Sequence, residues 1–322
     1  MLIRKAIGSL AALLFLVPAA RAAETDYPTR PITLIVPFAA GGASDVIARL
    51  AAEGMGQALG QRLINENIPG AGGSTALTRA ARATPDGYTL VIGNAGTNAA
   101  AYTLYNDLKY TPDAFAPVGL VAKTSPVIAI KKDFAAATLA EFIAYAKANP
   151  GKVSLGHAGV GSSNYLICKS FLHAAKIDVT LVSYRGGALA LNDLVGGQID
   201  GVCDAATSIT PAIQSGQVKG LVVSSPSRLP TLPDVPASAE AGLPEFKAQG
   251  WNAIFAPKGT PEPIIAKLNA ALGKALKGEL LLKRMEELGS FPPEGNEASP
   301  DYLKDFVPNE IAKYRQLLAD AP

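Results

Sequence analysis

The chain has 322 residues, 48% of them hydrophobic, and carries 29 Lys and Arg against 27 Asp and Glu, a formal net charge of +2. A balance this close to neutral, with no run of Lys or Arg interleaved with aromatics, argues against nucleic acid as a partner. The two histidines, His157 and His173, have no metal-ligand spacing with a cysteine or carboxylate, so no resident metal is expected.

The N-terminus reads as a secretory signal peptide over residues 1–22. Arg4 and Lys5 form a basic n-region, residues 6–17 an apolar stretch too short for a comfortable membrane span, and Ala20-Arg21-Ala22 a small-residue cleavage pattern. The mature chain is expected to begin near Ala23 and to be periplasmic, without a lipid anchor, since no cysteine lies nearby. The leader contributes Arg4, Lys5 and Arg21 and no acidic residue. The mature chain therefore has 26 basic against 27 acidic residues, a balance of −1. No later apolar run reaches transmembrane length. About 300 mature residues suit roughly two domains.

Residues 32–49, ITLIVPFAAGGASDVIAR, introduce a pattern that recurs along the chain. An apolar strand-like run stops at Pro37, a small-residue loop leads to Ser44 and Asp45, and Val46, Ile47 and Leu50 continue at helical spacing. Further strands are expected over 62–65, 89–92, 118–121, 127–130, 153–155, 180–182, 201–203, 220–223 and 253–255. Helices are expected over 45–59, 74–83, 139–149, 163–175, 188–195, 206–215, 263–276, 279–288 and 301–318. This alternation argues for an α/β protein with parallel sheets covered by helices, and the strand number favours two sheets. Two extended stretches, 123–126 and 250–257, look like crossovers between lobes. If both join the same pair, residues 23–124 plus 250–322 form one lobe and 125–249 the other, with a two-strand hinge suited to a cleft that opens and closes.

Catalytic signatures are sparse. There is no G-x-S-x-G elbow and no G-x-x-x-x-G-K-[ST], and the runs at 70–75 and 159–164 miss the last glycine of a dinucleotide fingerprint. Glycine turns at helix starts recur instead: Gly41-Gly42, Gly70-Ala-Gly-Gly73, Gly159-Val-Gly161 and Gly186-Gly187. A strand, a glycine turn and a helix N-terminus aim free backbone N–H groups and a positive dipole end at one point, a ready place for an anion. Ser44, Ser162 and Ser163 add hydroxyls, and Asn94 and Thr97 follow another strand end. Asp45 and Asp204 stand at strand-to-helix turns, as caps or as acceptors for a ligand. Arg185 reads as surface charge or as a partner for an anion. Cys168 and Cys203 read equally as a disulfide, which an oxidising compartment permits, or as two buried thiols.

The motif PFAAGGASD (37–45) with Ala48-Arg49 resembles the opening of the Bug-type receptors, the extracytoplasmic solute-binding proteins of tripartite tricarboxylate transporters. The resemblance continues through NIPGAGG (67–73), PDGYTL (85–90), GHAGVGS (156–162), YRGG (184–187), LNDLVGGQID (191–200), LPDVP (232–236), EAGLP (240–244) and APKGTP (256–261), nearly the whole mature chain in order. It implies a type II periplasmic-binding-protein fold: two α/β lobes joined by a two-strand hinge, with a ligand cleft between them. The implied ligand contacts are Phe38, Ala39, Gly41, Gly42, Ser44 and Asp45, then Asn94 and Thr97, then Ser162, Ser163 and Asn164, then Tyr184, Gly186, Gly187 and Asp204. Where many members place His after the Gly-Ser pair, this chain has Asn164-Tyr165, and Ala205-Ala206 is smaller than the polar residues often found there. The expected activity is non-enzymatic capture of a small organic carboxylate (a di- or tricarboxylate, an acidic amino acid or an aromatic acid) by a monomer, without a cofactor, for delivery to the membrane components of a transporter. The alternative is a secreted hydrolase or lyase using Asp45 or Asp204 as general base.

Overall fold

A computed structural model describes residues 26–319, so the expected signal peptide lies outside the described residues. The strands are β1 (Ile32–Val36), β2 (Leu63–Asn67), β3 (Thr89–Asn94), β4 (Phe115–Thr124), β5 (Pro126–Lys131), β6 (Ser154–His157), β7 (Thr180–Ser183), β8 (Gly201–Ala205), β9 (Val218–Val223), β10 (Gly250–Pro257) and β11 (Ser290–Phe291). The helices are α1 (Ala43–Leu59), α2 (Ser74–Ala81), α3 (Ala101–Leu104), α4 (Leu139–Ala148), α5 (Ser163–Ala175), α6 (Gly187–Val195), α7 (Ala206–Gln214), α8 (Glu262–Ala275), α9 (Glu279–Glu287) and α10 (Pro300–Ala319).

The strands form two sheets, one ordered β11-β4-β10-β3-β1-β2 and the other β7-β6-β8-β5-β9. The chain passes from the first to the second across Ser125, between β4 and β5, and returns to the first at Gly250. β2-β1-β3 and β7-β6-β8 pair in parallel, as βαβ units must. The expectation of wholly parallel sheets needs correction. β10 runs antiparallel to β3 and β4, and β5 antiparallel to β8 and β9. These two strands enter directly from the other sheet, so they run against their neighbours.

Both sheets are covered on both faces, which is why their strands read as Val, Ile and Leu runs without alternation. In the first, Ile32, Leu34 and Ile92 pack under Ile47 and Met55 of α1 and Leu268 of α8. On its other face Ile35, Val91 and Phe255 meet Leu77 of α2 and Leu303 and Tyr314 of α10. In the second, Ile128 and Leu155 pack on Phe142 of α4 and Phe171 of α5, and Val127 and Val202 on Ala190 of α6 and Ile209 of α7. Cys168 of α5 and Cys203 of β8 form a disulfide, closing the alternative of two thiols. It ties α5 to the strand that ends in the candidate site. Elements without a counterpart in the sequence reading include a π-helical turn over Gly96–Ala100 that follows β3, the short helix α3 that it runs into, and β11.

Candidate ligand-binding cleft

In each sheet the strands β1, β3, β6 and β8 end on one line, and the helices that follow begin there. The two lines face each other across a cavity. Phe38, Gly42, Ser44 and Asn94 line it from the first lobe, and Ser163, Asn164 and Gly187 from the second. The other residues expected to contact ligand, Ala39, Gly41, Asp45, Thr97, Ser162, Tyr184, Gly186 and Asp204, are not part of this lining. The sequence reading missed Thr124, Ala158 and Ile167, and also Ala205, Trp251 and Asn252, all of which line the cavity. Thr124, Trp251 and Asn252 were read only as parts of the crossovers between lobes, and Ala158 and Ile167 carry no polar group that would mark a site.

Ser44 is the centre of the first lobe's wall. Its Oγ accepts from Asn252 Nδ2 at 2.9 Å and from Asn94 Nδ2 at 3.2 Å. Asn94 is fixed in turn, because its Oδ1 accepts the amides of Gly96 and Thr97 at 2.9 and 3.1 Å. Thr97 closes this turn from inside, donating from its hydroxyl to Asn98 Oδ1 at 2.8 Å.

Asp45 is a clamp for the loop that precedes α1. It accepts from the Gly41 amide and Arg49 Nε at 2.9 Å, from Arg49 Nη2 at 3.0 Å and from Asn67 Nδ2 at 2.8 Å. Burial pushes its carboxyl up, but the bonds from Arg49, Gly41 and Asn67 outweigh that and hold it below the ordinary 3.8. Its lone pairs are filled, so it is not poised as a general base. Asp204 differs. It accepts from Asn164 Nδ2 and the Ala205 amide, both at 2.8 Å, and has no cationic partner among the described residues. Burial, opposed by those bonds, raises its carboxyl above the ordinary value.

The remaining expected contacts have local partners. Ser162 caps α5 by accepting the Tyr165 amide at 3.1 Å. The Tyr184 hydroxyl donates to Asp193 at 2.7 Å. Arg185 enters the cleft region through its carbonyl, which accepts the Ala39 amide at 3.3 Å.

The glycine turns do a job the sequence did not disclose: they let the two lobes touch backbone to backbone. A Cβ on Gly72 would sit 1.9 Å from the Val160 carbonyl oxygen, and one on Gly96 would sit 2.5 Å from the Gly161 oxygen. Either methyl would hold the lobes apart. Across the same seam the Gly96 amide donates to Ser163 Oγ at 3.2 Å, and the Tyr105 hydroxyl donates to the Val160 carbonyl.

Comparison with known proteins places this architecture. Residues 47–321 match the model of the tripartite tricarboxylate transporter family receptor. A UPF0065 protein from the TAR-I ttuE-ttuC' intergenic region of Agrobacterium vitis is 38% identical over 300 residues, 93% of this chain and 86% of that one. Among solved structures, the periplasmic binding protein BugD is 39% identical with a TM-score of 0.88, covering 91% of this chain and 98% of its own. MatC from Rhodopseudomonas palustris, solved with bound malate, is 41% identical with a TM-score of 0.87, covering 90% and 99%. The matched family is one of transporter receptors and BugD is a periplasmic binding protein, so the general-base alternative falls. The chain belongs to the receptor family of the tripartite tricarboxylate transporters, with its two-lobed α/β periplasmic-binding-protein fold.

Proposed function

We propose that this chain is an exported receptor that captures a small organic carboxylate between its lobes and delivers it to the membrane components of a tripartite transporter. One observation carries this reading. The helix starts at Gly42, Gly187 and Ala205 line a single cavity that has no Lys, Arg or His side chain in its wall. Backbone donors and dipoles at helix N-termini favour negative charge, and a carboxylate is the small solute that such a wall holds without a counter-ion. Capture of malate by MatC, which shares 41% of its sequence with this chain, supports the same ligand chemistry. In this reading residues 1–22 are removed on export. Residues 23–124 with 250–322, and residues 125–249, close as two bodies about the crossings at Ser125 and Gly250. The lining residues Gly42, Ser44, Asn94, Ser163, Asn164 and Gly187 contact the ligand, and Asp45, Thr97, Ser162 and Asp204 position them.

The test is thermal unfolding of the mature protein against a panel of di- and tricarboxylates, amino acids and aromatic acids. A ligand at a hundred times its Kd stabilises the native state by about 2.7 kcal/mol and raises the melting point accordingly. Binding confined to uncharged or cationic solutes, or turnover of an ester, amide or hydroxy acid, would contradict the proposal.

A further inference from the structure

We propose that a cavity between α5, α10 and the return crossing at 245–250 is a second binding site, for a small uncharged aromatic molecule, and that its occupation holds the lobes together. The site lies outside the carboxylate cleft, and only its effect on the lobes rests on the closure reading above.

The cavity measures about 150 Å³, a size that admits a single aromatic ring when the walls are apolar. Ala95, Leu166, Ile167, Ala248, Tyr314 and Leu317 supply such walls. Its charged groups balance, with His173 counted as neutral. Lys247 and Lys313 stand in the lining with Glu245, and Lys313 Nζ is held 2.9 Å from Glu310. These opposed pairs leave no net charge to select an ion, so an uncharged guest suits the site. Ser170, half-buried in the wall, makes no side-chain hydrogen bond among the described residues and can serve a guest hydroxyl.

The site spans the two lobes. Neighbouring residues of α5, Ile167 and Phe171, pack in the second lobe, yet Leu166 is buried in the apolar cluster of the first with Ala95 and Tyr314. One wall of the cavity is therefore α5, and the opposite wall is α10 with Ala95. Ala95 and Ser163, both in the lining, adjoin the seam where the Gly96 amide donates to Ser163 Oγ at 3.2 Å. A rotation that breaks this bond shifts the two walls relative to each other, whichever way the lobes turn. A guest that touches both walls binds the closed arrangement in preference, and linkage requires it to stabilise that arrangement.

Two routes join this site to the carboxylate cleft. Ser163, Ile167 and Gly250 line both cavities and form the partition between them. The second route is a chain of bonds. Trp251 lines the cleft and donates from Nε1 to Glu310 Oε2 at 2.9 Å. Glu310 Oε1 in turn accepts from Lys313 Nζ, in the lining of the second cavity. Trp251 is the sole tryptophan of the chain, so its fluorescence reports on both cavities.

Benzyl alcohol is the probe, with benzylamine as its charged counterpart, titrated into the mature protein at a pH of about 7 by calorimetry and by Trp251 emission. Benzyl alcohol should bind one-to-one with a Kd of about 1 mM or tighter, and benzylamine at least about tenfold more weakly. Ser170→Phe and Leu317→Phe fill the cavity from opposite walls, and each should weaken benzyl alcohol about tenfold or more. Hydrogen exchange reads the lobes without any carboxylate. Saturating benzyl alcohol should slow exchange about fivefold or more at the seam amides 70–73 and 159–161, which do not line the site. No binding of benzyl alcohol, or binding that both variants leave unchanged, overturns the site. Benzylamine binding as tightly overturns its chemistry, and unchanged exchange at the seam overturns its effect on the lobes. None of these results bears on the carboxylate reading, which fails only on its own thermal screen.

Discussion

Asp45 shows how a residue type can be legible while its job is not. A carboxylate at a strand-to-helix turn, four residues ahead of Arg49, was visible in the sequence. That Asn67 and the Gly41 amide fill its remaining lone pairs was not, because Asn67 lies 22 residues away on a neighbouring strand. The contrast is sharper at Ser44, whose partner Asn252 is 208 residues distant and carries no motif. For Asp45 the structure gives a direction with pH. A carboxyl held below its ordinary 3.8 contributes stability that is fully present above that value and fades as pH falls through the lower folded value. Asp45→Asn should therefore destabilise the protein at neutral pH by about 1–2 kcal/mol, discounted because Arg49 is half exposed. The gap between variant and parent should narrow below about pH 4. Urea denaturation of both at pH 7 and pH 3 measures it, and a gap that widens on acidification would show that Asp45 is not the clamp described.

At the scale of elements, the strands and helices were largely readable from apolar runs broken by Gly and Pro, but strand direction was not. β5 and β10 run antiparallel because of where the chain crosses between sheets, which is a property of topology rather than of their own residues. The π-helical turn after β3 was equally hidden, since GTNAA has no pattern that separates it from a loop. The glycine turns fall at helix starts, as the sequence indicated. Read from sequence as ligand loops, they form the seam on which the lobes meet, and Tyr105 stitches that seam by donating to Val160. Ala71, whose carbonyl lies 3.2 Å from the same hydroxyl, is held at a φ of 45°, a strained value for a residue with a side chain. Tyr105→Phe removes the cross-cleft bond and keeps the ring. Ligand release followed by stopped flow should quicken by about two- to tenfold, the worth of one hydrogen bond, with melting temperature nearly unchanged. An unchanged release rate would mean that closure does not depend on this contact.

At the scale of the whole molecule, the two-lobed fold was legible because family motifs recur in order from residue 37 to residue 261 and because the two extended crossings stand out. The division of labour inside the cleft was not legible. Composition shows that the best ligand loops lack Lys and Arg, but only the fold shows the starts of α1, α6 and α7 meeting at one cavity without a side-chain cap. The central claim is that this receptor holds its anion with backbone dipoles, hydroxyls and amides, and without a side-chain cation. A crystal structure of the mature protein with its tightest carboxylate ligand tests that claim most directly. Carboxylate oxygens are expected within hydrogen-bond reach of the amides at the start of α1 and of α6 and of the Ser44 hydroxyl, with no Lys or Arg nitrogen within about 4 Å. A ligand paired with the guanidinium of Arg185 or Arg49, or bound outside the interlobe cleft, would contradict it.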